Sequence, residues 1–180
     1  MIIFETKRLL VRQYEPTDGD NFFSLNGNQD VMRYIRPAKS REESDAFLKY
    51  NISLAAKTPQ YGRWAVIEKE SGCFVGSFAV IEVDDRDDMQ LGYALLPFAW
   101  GKGYATELTV AGIAYVFTKT ALQTIYAFTE GPNLPSQKVL LKAGFIQTGS
   151  KTENGKELLE FAFTKKQYAK LTSGSPIQAL

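Results

Sequence analysis

Apolar and polar residues recur along this chain with two distinct periods, and the changes of period mark its elements. Residues 8–14 (RLLVRQY) are a short apolar run edged by charge, the pattern of a strand. Residues 17–26 open on Thr17 and Asp18 as capping residues and carry Phe22, Phe23 and Leu25, which predicts a short helix. Another helical turn is predicted over 28–34 (NQDVMRY), and Pro37 then breaks the chain. Ser40-Arg-Glu-Glu43 is a capping box, a hydroxyl and a carboxylate three residues apart that satisfy two otherwise bare amides. The helix it opens is expected to run to about Lys57, with Ala46, Phe47, Tyr50 and Leu54 on one side, and Thr58-Pro59 ends it.

Three strand patterns follow. Residues 62–69 alternate through Trp64, Val66 and Ile67, and Trp64 is expected in the core. Residues 73–83 follow a Glu70-Ser71-Gly72 turn, and 89–96 follow the acidic loop Asp84–Asp88. The short links predict antiparallel neighbours, and Gly92 inside the third strand predicts a bulge or a close backbone approach. Cys73, in an apolar run without a basic neighbour, is expected to be a core thiol. From Gly101 to about Lys119 apolar residues occupy most sides of a helix, so that helix is buried. Residues 122–129 return to strand. Pro132-Asn133 opens a helix through Ala143, with Gly144 as its C-cap. Phe145–Lys151 and Lys156–Thr164 are predicted strands around an Asn154-Gly155 hairpin turn. A short helix from Lys165 and a frayed Ser173-Gly-Ser-Pro tail complete the chain. The order β-α-α-βββ-α-β-α-ββ describes a mixed α/β (α+β) domain.

Composition narrows the chemistry. The 180 residues are 44% hydrophobic and 23% charged, which is a single globular domain without repeats or linkers. Lys and Arg number 21 against 20 Asp and Glu, so no global field draws nucleic acid or an anionic membrane. No apolar run approaches the ~20 residues of a membrane span. The start Met-Ile-Ile-Phe-Glu has an early acid and nothing resembling a targeting segment, so a cytoplasmic location is expected. A single cysteine excludes an internal disulfide. The chain contains no histidine, which removes Ser-His-Asp and Cys-His catalysis and nearly every zinc site, and no metal is expected.

The informative segment is Leu95-Leu-Pro-Phe-Ala-Trp-Gly-Lys-Gly-Tyr-Ala-Thr-Glu107, which joins a strand to the buried helix through Gly101 and Gly103. Glycines there let a ligand approach the backbone closely. The helix start behind them offers bare amides and the positive end of the helix dipole, a phosphate site, with Lys102 adding charge. The P-loop spacing is absent. The dinucleotide fingerprint lacks its third glycine, because Thr106 stands there, and lacks its acid about 20 residues on. On the glycines alone, a phosphate cradle and a plain turn stand side by side.

The longer string LGYALLPFAWGKGYATE resembles the GNAT family of N-acetyltransferases, and within it the branch of ribosomal-protein (alanine/serine) N-terminal acetyltransferases. Trp100-Gly-Lys-Gly103-Tyr-Ala105 matches the family's pyrophosphate loop Q/R-x-x-G-x-G/A, with Trp100 replacing Gln or Arg. Thr6-Lys-Arg-Leu-Leu-Val-Arg12 and Asp30-Val-Met-Arg-Tyr34 resemble that branch's opening. Asn133-Leu-Pro-Ser136 followed by Lys138-Val-Leu-Leu-Lys-Ala-Gly-Phe145 resembles its C-terminal motif. The resemblance spans about residues 5–164. It implies one GNAT domain over 1–165 with a tail from 166 to 180, and a mostly antiparallel sheet of about seven strands, splayed in the middle, with flanking helices.

It also implies acetyl-CoA. The amides of Trp100, Gly101, Lys102, Gly103, Tyr104, Ala105 and Thr106 would receive the pyrophosphate. Leu95 and Leu96 would pair with the pantetheine arm, and Asn133 would contact the cofactor or simply cap its helix. Direct attack by a neutral amine needs no protein nucleophile, only proximity, an oxyanion donor and proton traffic. The leaving thiol has an ordinary pKa of about 8.5. The backbone N–H near Leu95 is the expected oxyanion donor. Gln90 stands where many relatives carry Glu, and it cannot take a proton, so Glu82, Asp84 or water becomes the expected base. A tyrosine common in relatives is Leu140 here, and Ser136 becomes the expected acid, or merely a first-turn serine. Tyr93 and Tyr104 line the slot or pack. Arg33, Tyr34 and Arg36 fall on the branch's acceptor-side wall, where they select a carboxylate or phosphate or stand exposed without a role. The implied partners are acetyl-CoA and an amine acceptor, a protein N-terminus or a small amine, with a homodimer in keeping with the family. A non-catalytic acyl-CoA-binding module of the same fold is the alternative, favoured by Gln90 and Leu140.

Overall fold

The computed structural model describes residues 1–83, 86–153 and 155–173. Eight strands and six α-helices follow one another along these residues. Strands β1 (Ile2–Glu5) and β2 (Leu9–Gln13) precede helices α1 (Gly19–Asn26), α2 (Gln29–Met32) and α3 (Arg41–Lys57). Strands β3 (Gly62–Glu68), β4 (Phe74–Val83) and β5 (Arg86–Leu95) form an antiparallel meander. Helix α4 (Tyr104–Lys119), strand β6 (Thr124–Glu130), helix α5 (Leu134–Lys142), the hairpin β7 (Ile146–Glu153) and β8 (Lys156–Thr164), and helix α6 (Lys165–Ser173) complete the order. The sheet runs β1-β2-β3-β4-β5-β6-β8-β7. Every neighbouring pair is antiparallel except β5–β6, which is parallel and meets only at Gln90↔Tyr126. The sheet therefore splays at its centre.

Each face of the sheet carries its own core. On one, Trp64, Val66, Phe78 and Leu91 pack against Leu108, Ile113 and Val116 of α4. On the other, Tyr14, Ala65, Phe74 and Leu96 pack against Phe22, Leu25, Met32 and Leu48 of the first three helices. Trp64 is fully buried, as its alternation predicts. No helix among the described residues is long and apolar enough to cross a membrane.

Several expectations are corrected. The sheet has eight strands rather than about seven, because Ile2–Glu5 pairs with β2. The four residues are too few to show a period beside the charge at Glu5. Helix α3 begins at the predicted capping box, but its buried stripe is Ser44, Leu48, Asn51 and Ala55, with Tyr50 and Ala46 exposed. Asn51 can be buried because its side-chain amide donates to the Phe47 carbonyl at 2.6 Å. Asp18 does not cap α1. Its carboxylate receives two hydrogen bonds from Arg12, at 2.7 and 2.8 Å, and one from the Glu15 amide at 2.8 Å. Burial acts to raise the Asp18 carboxyl, but those donors outweigh it and hold the group below its usual range.

Strand β5 starts at Arg86, whose guanidinium pairs with Asp88 and Glu160, so the acidic run from Arg86 on is a solvated strand end. Asp84, Asp85 and Asn154 lie outside the described residues, as does the tail beyond Ser173. Cys73 is exposed in the turn before β4 rather than in the core. The glycine of close approach is Gly76: a Cβ there would lie 2.1 Å from the Ala94 carbonyl, whereas one at Gly92 meets nothing within 4 Å.

Candidate active site at the splayed strand and the start of helix α4

After β5 the chain makes a 3-10 turn, Pro97–Ala99, and reaches Gly101-Lys-Gly103. Gly101 (φ +73°) and Gly103 (φ +81°) are left-handed, so α4 begins at Tyr104 and not at Gly101. The first helical hydrogen bond here runs from the Glu107 amide to the Gly103 carbonyl at 3.2 Å. Among the described residues, no protein acceptor takes the amides of Gly101 to Thr106. Six consecutive N–H groups at the positive end of a buried helix form an anion cradle.

The cradle is anchored from behind. Arg8 donates to the Lys102 carbonyl at 2.9 Å, forms an ion pair with Glu107 at 2.7 Å and lies 4.5 Å from the centre of the Tyr104 ring. Tyr104 in turn donates its hydroxyl to Glu68. Burial works against the Glu107 anion, but the Thr6 hydroxyl and the Arg8 amide and guanidinium hold its pKa below the ordinary value. The side chains thus hold the loop by its carbonyls and flank, which leaves the amides free. Trp100 departs from expectation. Its amide donates to Pro97 at 3.1 Å and its indole N–H to the Leu95 carbonyl at 2.7 Å. Trp100 therefore braces the loop and offers no amide to a ligand.

The open edge of β5 supplies the second feature. The Leu96 amide donates to Val75 and its carbonyl accepts from Ala99, both at 2.9 Å, so Leu96 has no free donor for a cofactor arm. Antiparallel ladders alternate their bonds. Tyr93 and Leu95 consequently turn their main-chain groups toward the splay, where β6 has already diverged. The Leu95 carbonyl is held by Trp100, so Leu95 faces that gap with its N–H.

Across the gap stands the start of α5. The Asn133 side chain accepts the Ser136 amide at 3.3 Å, so it caps the helix. At the far end Gly144 (φ +95°) lets Phe145 donate to the Leu140 carbonyl at 3.0 Å, and the Leu140 side chain is buried in the core. The Ser136 hydroxyl lies 3.2 Å from the Tyr93 hydroxyl. Burial raises the Tyr93 pKa, opposed by the bond to Ser136, so the phenol stays protonated. This pairing joins residues 43 apart in sequence, and no local signal announces it.

The proposed bases fare unequally. Gln90 donates its side-chain amide to the Glu82 carbonyl at 3.2 Å. Glu82 is paired with Met89 and Gln90 with Ile81, so the Glu82 carboxylate belongs to the opposite face of the sheet from Gln90, the face that carries Tyr93, and does not stand in Gln90's place. Arg33, Tyr34 and Arg36 line a cleft of about 860 Å³ together with Met32, Glu130 and Lys156, whereas Tyr93 sits deeper, at the splay. Arg33 is exposed and pairs loosely with Asp30 at 3.6 Å. Among the described residues no group of three acidic or cysteine side chains is placed to hold a metal.

The profile of the family described as acetyltransferase (GNAT) domain matches residues 8–146, most of the chain and all of the cradle. The chain belongs to the GNAT acetyltransferase family. This acetyltransferase is 28% identical over 145 residues to the uncharacterized N-acetyltransferase YnaD of Bacillus subtilis, covering 80% of this chain and 82% of that one. It shares its fold with a GNAT-family acetyltransferase from Bacillus anthracis (TM-score 0.81, 24% identity, 92% and 99% of the two chains). The spermidine N-acetyltransferase of Vibrio cholerae, solved with CoA and spermine, has the same fold (TM-score 0.77, 21% identity, 91% and 99%). So does the ribosomal-protein-S5-alanine acetyltransferase of Vibrio fischeri (TM-score 0.76, 18% identity, 93% and 98%). Membership makes the acetyltransferase an acetyl-CoA-dependent enzyme of N-acetyl transfer.

Proposed function

We propose that the enzyme holds acetyl-CoA on the amides of Gly101–Thr106 and acetylates a primary amine that attacks directly in a ternary complex. The observation that carries this reading is the row of unengaged amides, because a diphosphate is the ligand such a row fits. Acetyl-CoA brings the activated acyl carbonyl. The Leu95 N–H faces the splay and serves as the oxyanion donor. The protonated Tyr93–Ser136 pair stands ready to return a proton to the departing thiolate. The carboxylates that the register places on the Gln90 face, Asp88, Glu130 and Glu160, are each held by a cation, Arg86 or Lys156. The amine therefore binds neutral and sheds its later proton to water. The acceptor is a peptide N-terminus or a small amine reaching in from the 860 Å³ cleft.

The test is an amine panel followed by mass and by thiol release, with pH varied. One acetyl group should be added per thiol released, and kcat/KM should rise with pH up to the pKa of each acceptor, moving with the acceptor rather than staying fixed. Cofactor binding without acetylation of any amine would establish the non-catalytic alternative.

A further inference from the structure

The first three helices cover one face of the sheet, and beneath them lies a group of donors without acceptors. Arg36, from the segment after α2, lines the acceptor cleft. Arg63 enters from β3, and Ala79 is its cross-strand partner. Their guanidinium carbons lie 5.1 and 5.6 Å from the centre of one ring, Phe47 of α3, and the Lys39 ammonium lies 5.2 Å from the same centre. Three cations thus gather round a single aromatic side chain. Among the described residues, neither Arg36 nor Arg63 has a carboxylate within ion-pair distance. The nearby acids are engaged elsewhere: Asp18 is held by Arg12, and Glu130 and Glu153 of the cleft by Lys156 and Lys151.

Two buried donors sharpen the picture. The Arg36 Nε and the Tyr14 hydroxyl are sealed from solvent and have no partner, and Tyr14 as a residue is 5% exposed. Arg36 bonds only the Asn26 side-chain oxygen, a neutral acceptor. Burial, and then the repulsion of Arg63, pull the Arg36 pKa down to about 10. Burial lowers Arg63 too, and Tyr14 lies in its field. Like charges brought together away from water are unfavourable unless something neutralises them, and a planar guanidinium pair is suited to a carboxylate or a phosphate.

We propose that Arg36 and Arg63 form an anion subsite of the acceptor cleft, so that the amine acetylated by this enzyme carries a carboxylate or a phosphate. The proposal rests on reading this cleft as the acceptor side. It disfavours a polyamine there, because the second ammonium would meet the Arg36 guanidinium while Glu130 and Glu153, the acids of the cleft, are held by Lys156 and Lys151.

The experiment uses homologous series of primary amines, two to six carbons long, ending in a carboxylate, a phosphonate, a carboxamide or a second amine. Thiol release from acetyl-CoA gives kcat/KM for each. At the best chain length an anionic end should exceed the carboxamide at least tenfold and the diamine by more, and comparing carboxylate with phosphonate identifies the anion. Arg36→Gln and Arg63→Met should bring the ratio of anion to carboxamide near one while the CoA-induced rise in melting temperature persists. Arg63→Met keeps the apolar stem and removes an uncompensated charge, so the unliganded protein should melt no lower than the parent. A second readout is independent of turnover: the matching carboxylates without an amine should raise the parent's melting temperature and not that of either variant. If no amine is acetylated but this shift is present and is lost in the variants, the anion subsite stands and the enzymatic reading falls. Equal turnover of carboxylates, carboxamides and diamines, unaltered by either substitution, overturns the subsite.

Discussion

Replacing Gly103 by alanine isolates the backbone on which the cofactor reading depends. A Cβ at Gly103 meets only Arg8 Nη2, at 3.5 Å, an ordinary contact, so sterics add almost nothing. The penalty comes from the φ of +81°. A left-handed L-residue costs about 1–2 kcal/mol, and alanine recovers roughly 0.4–1 kcal/mol by restricting the unfolded chain. The unliganded variant should therefore lose about 1 kcal/mol, or about 2–4 °C at this chain length. Relief of that strain turns amides away from the cradle. A hydrogen bond to a charged group is worth about 1.5–3 kcal/mol, roughly 10- to 100-fold in affinity. At CoA equal to 100 times the parent's Kd, the ligand stabilises the parent by about 2.7 kcal/mol; a Kd raised 100-fold leaves about 0.4 kcal/mol. The CoA-induced shift should shrink from roughly 5–10 °C to about 1 °C in a thermal melt. Gly155→Ala is the control, with φ +75° and nothing within 4 Å of the new Cβ. It should lower the unliganded melting temperature comparably and leave the CoA shift whole. If both variants keep the full shift, the turn does not cradle the diphosphate.

Ser136→Ala should cut kcat about tenfold or more with little change in CoA affinity, because it removes a proton route and no cofactor amide; an unaltered kcat would take Ser136 out of the mechanism. Asp18→Asn, measured by urea unfolding, should destabilise by about 3 kcal/mol near pH 7, since it leaves Arg12 without its anion. Because the folded Asp18 pKa is depressed, its contribution is present above the unfolded value of about 4 and fades as pH falls below it. The gap between parent and variant should close in acid, and a gap constant from pH 7 to pH 2 would show the pair contributes nothing through charge.

The elements legible in the sequence were those with strong local punctuation. The Ser40–Glu43 box, Gly144 and the Gly101–Gly103 pair each mark a backbone state that the fold adopts. What eluded local reading depends on partners distant in sequence. Leu96 matched the cofactor-contact pattern, yet its amide belongs to Val75. Trp100 read as a loop amide, yet it fastens the loop to Leu95. Glu82 was attractive as an acid near Gln90, and only the strand register shows it on the other face. The Tyr93–Ser136 contact and the Arg36–Arg63 grouping need a folded sheet with a helix on each side before they exist.

The solitary bridge between β5 and β6 has a mechanical consequence. A continuous ladder would weld the first five strands to the last three; here a single rung and the packing of the shared core close that seam. Rigidity across the seam is thus borrowed from packing, and a strand-like guest bonding to Tyr93 and Leu95 would supply the missing rung. The stiffness of this molecule would then be a property of the loaded state, with the empty protein free to breathe along the line where the proposed reaction would run.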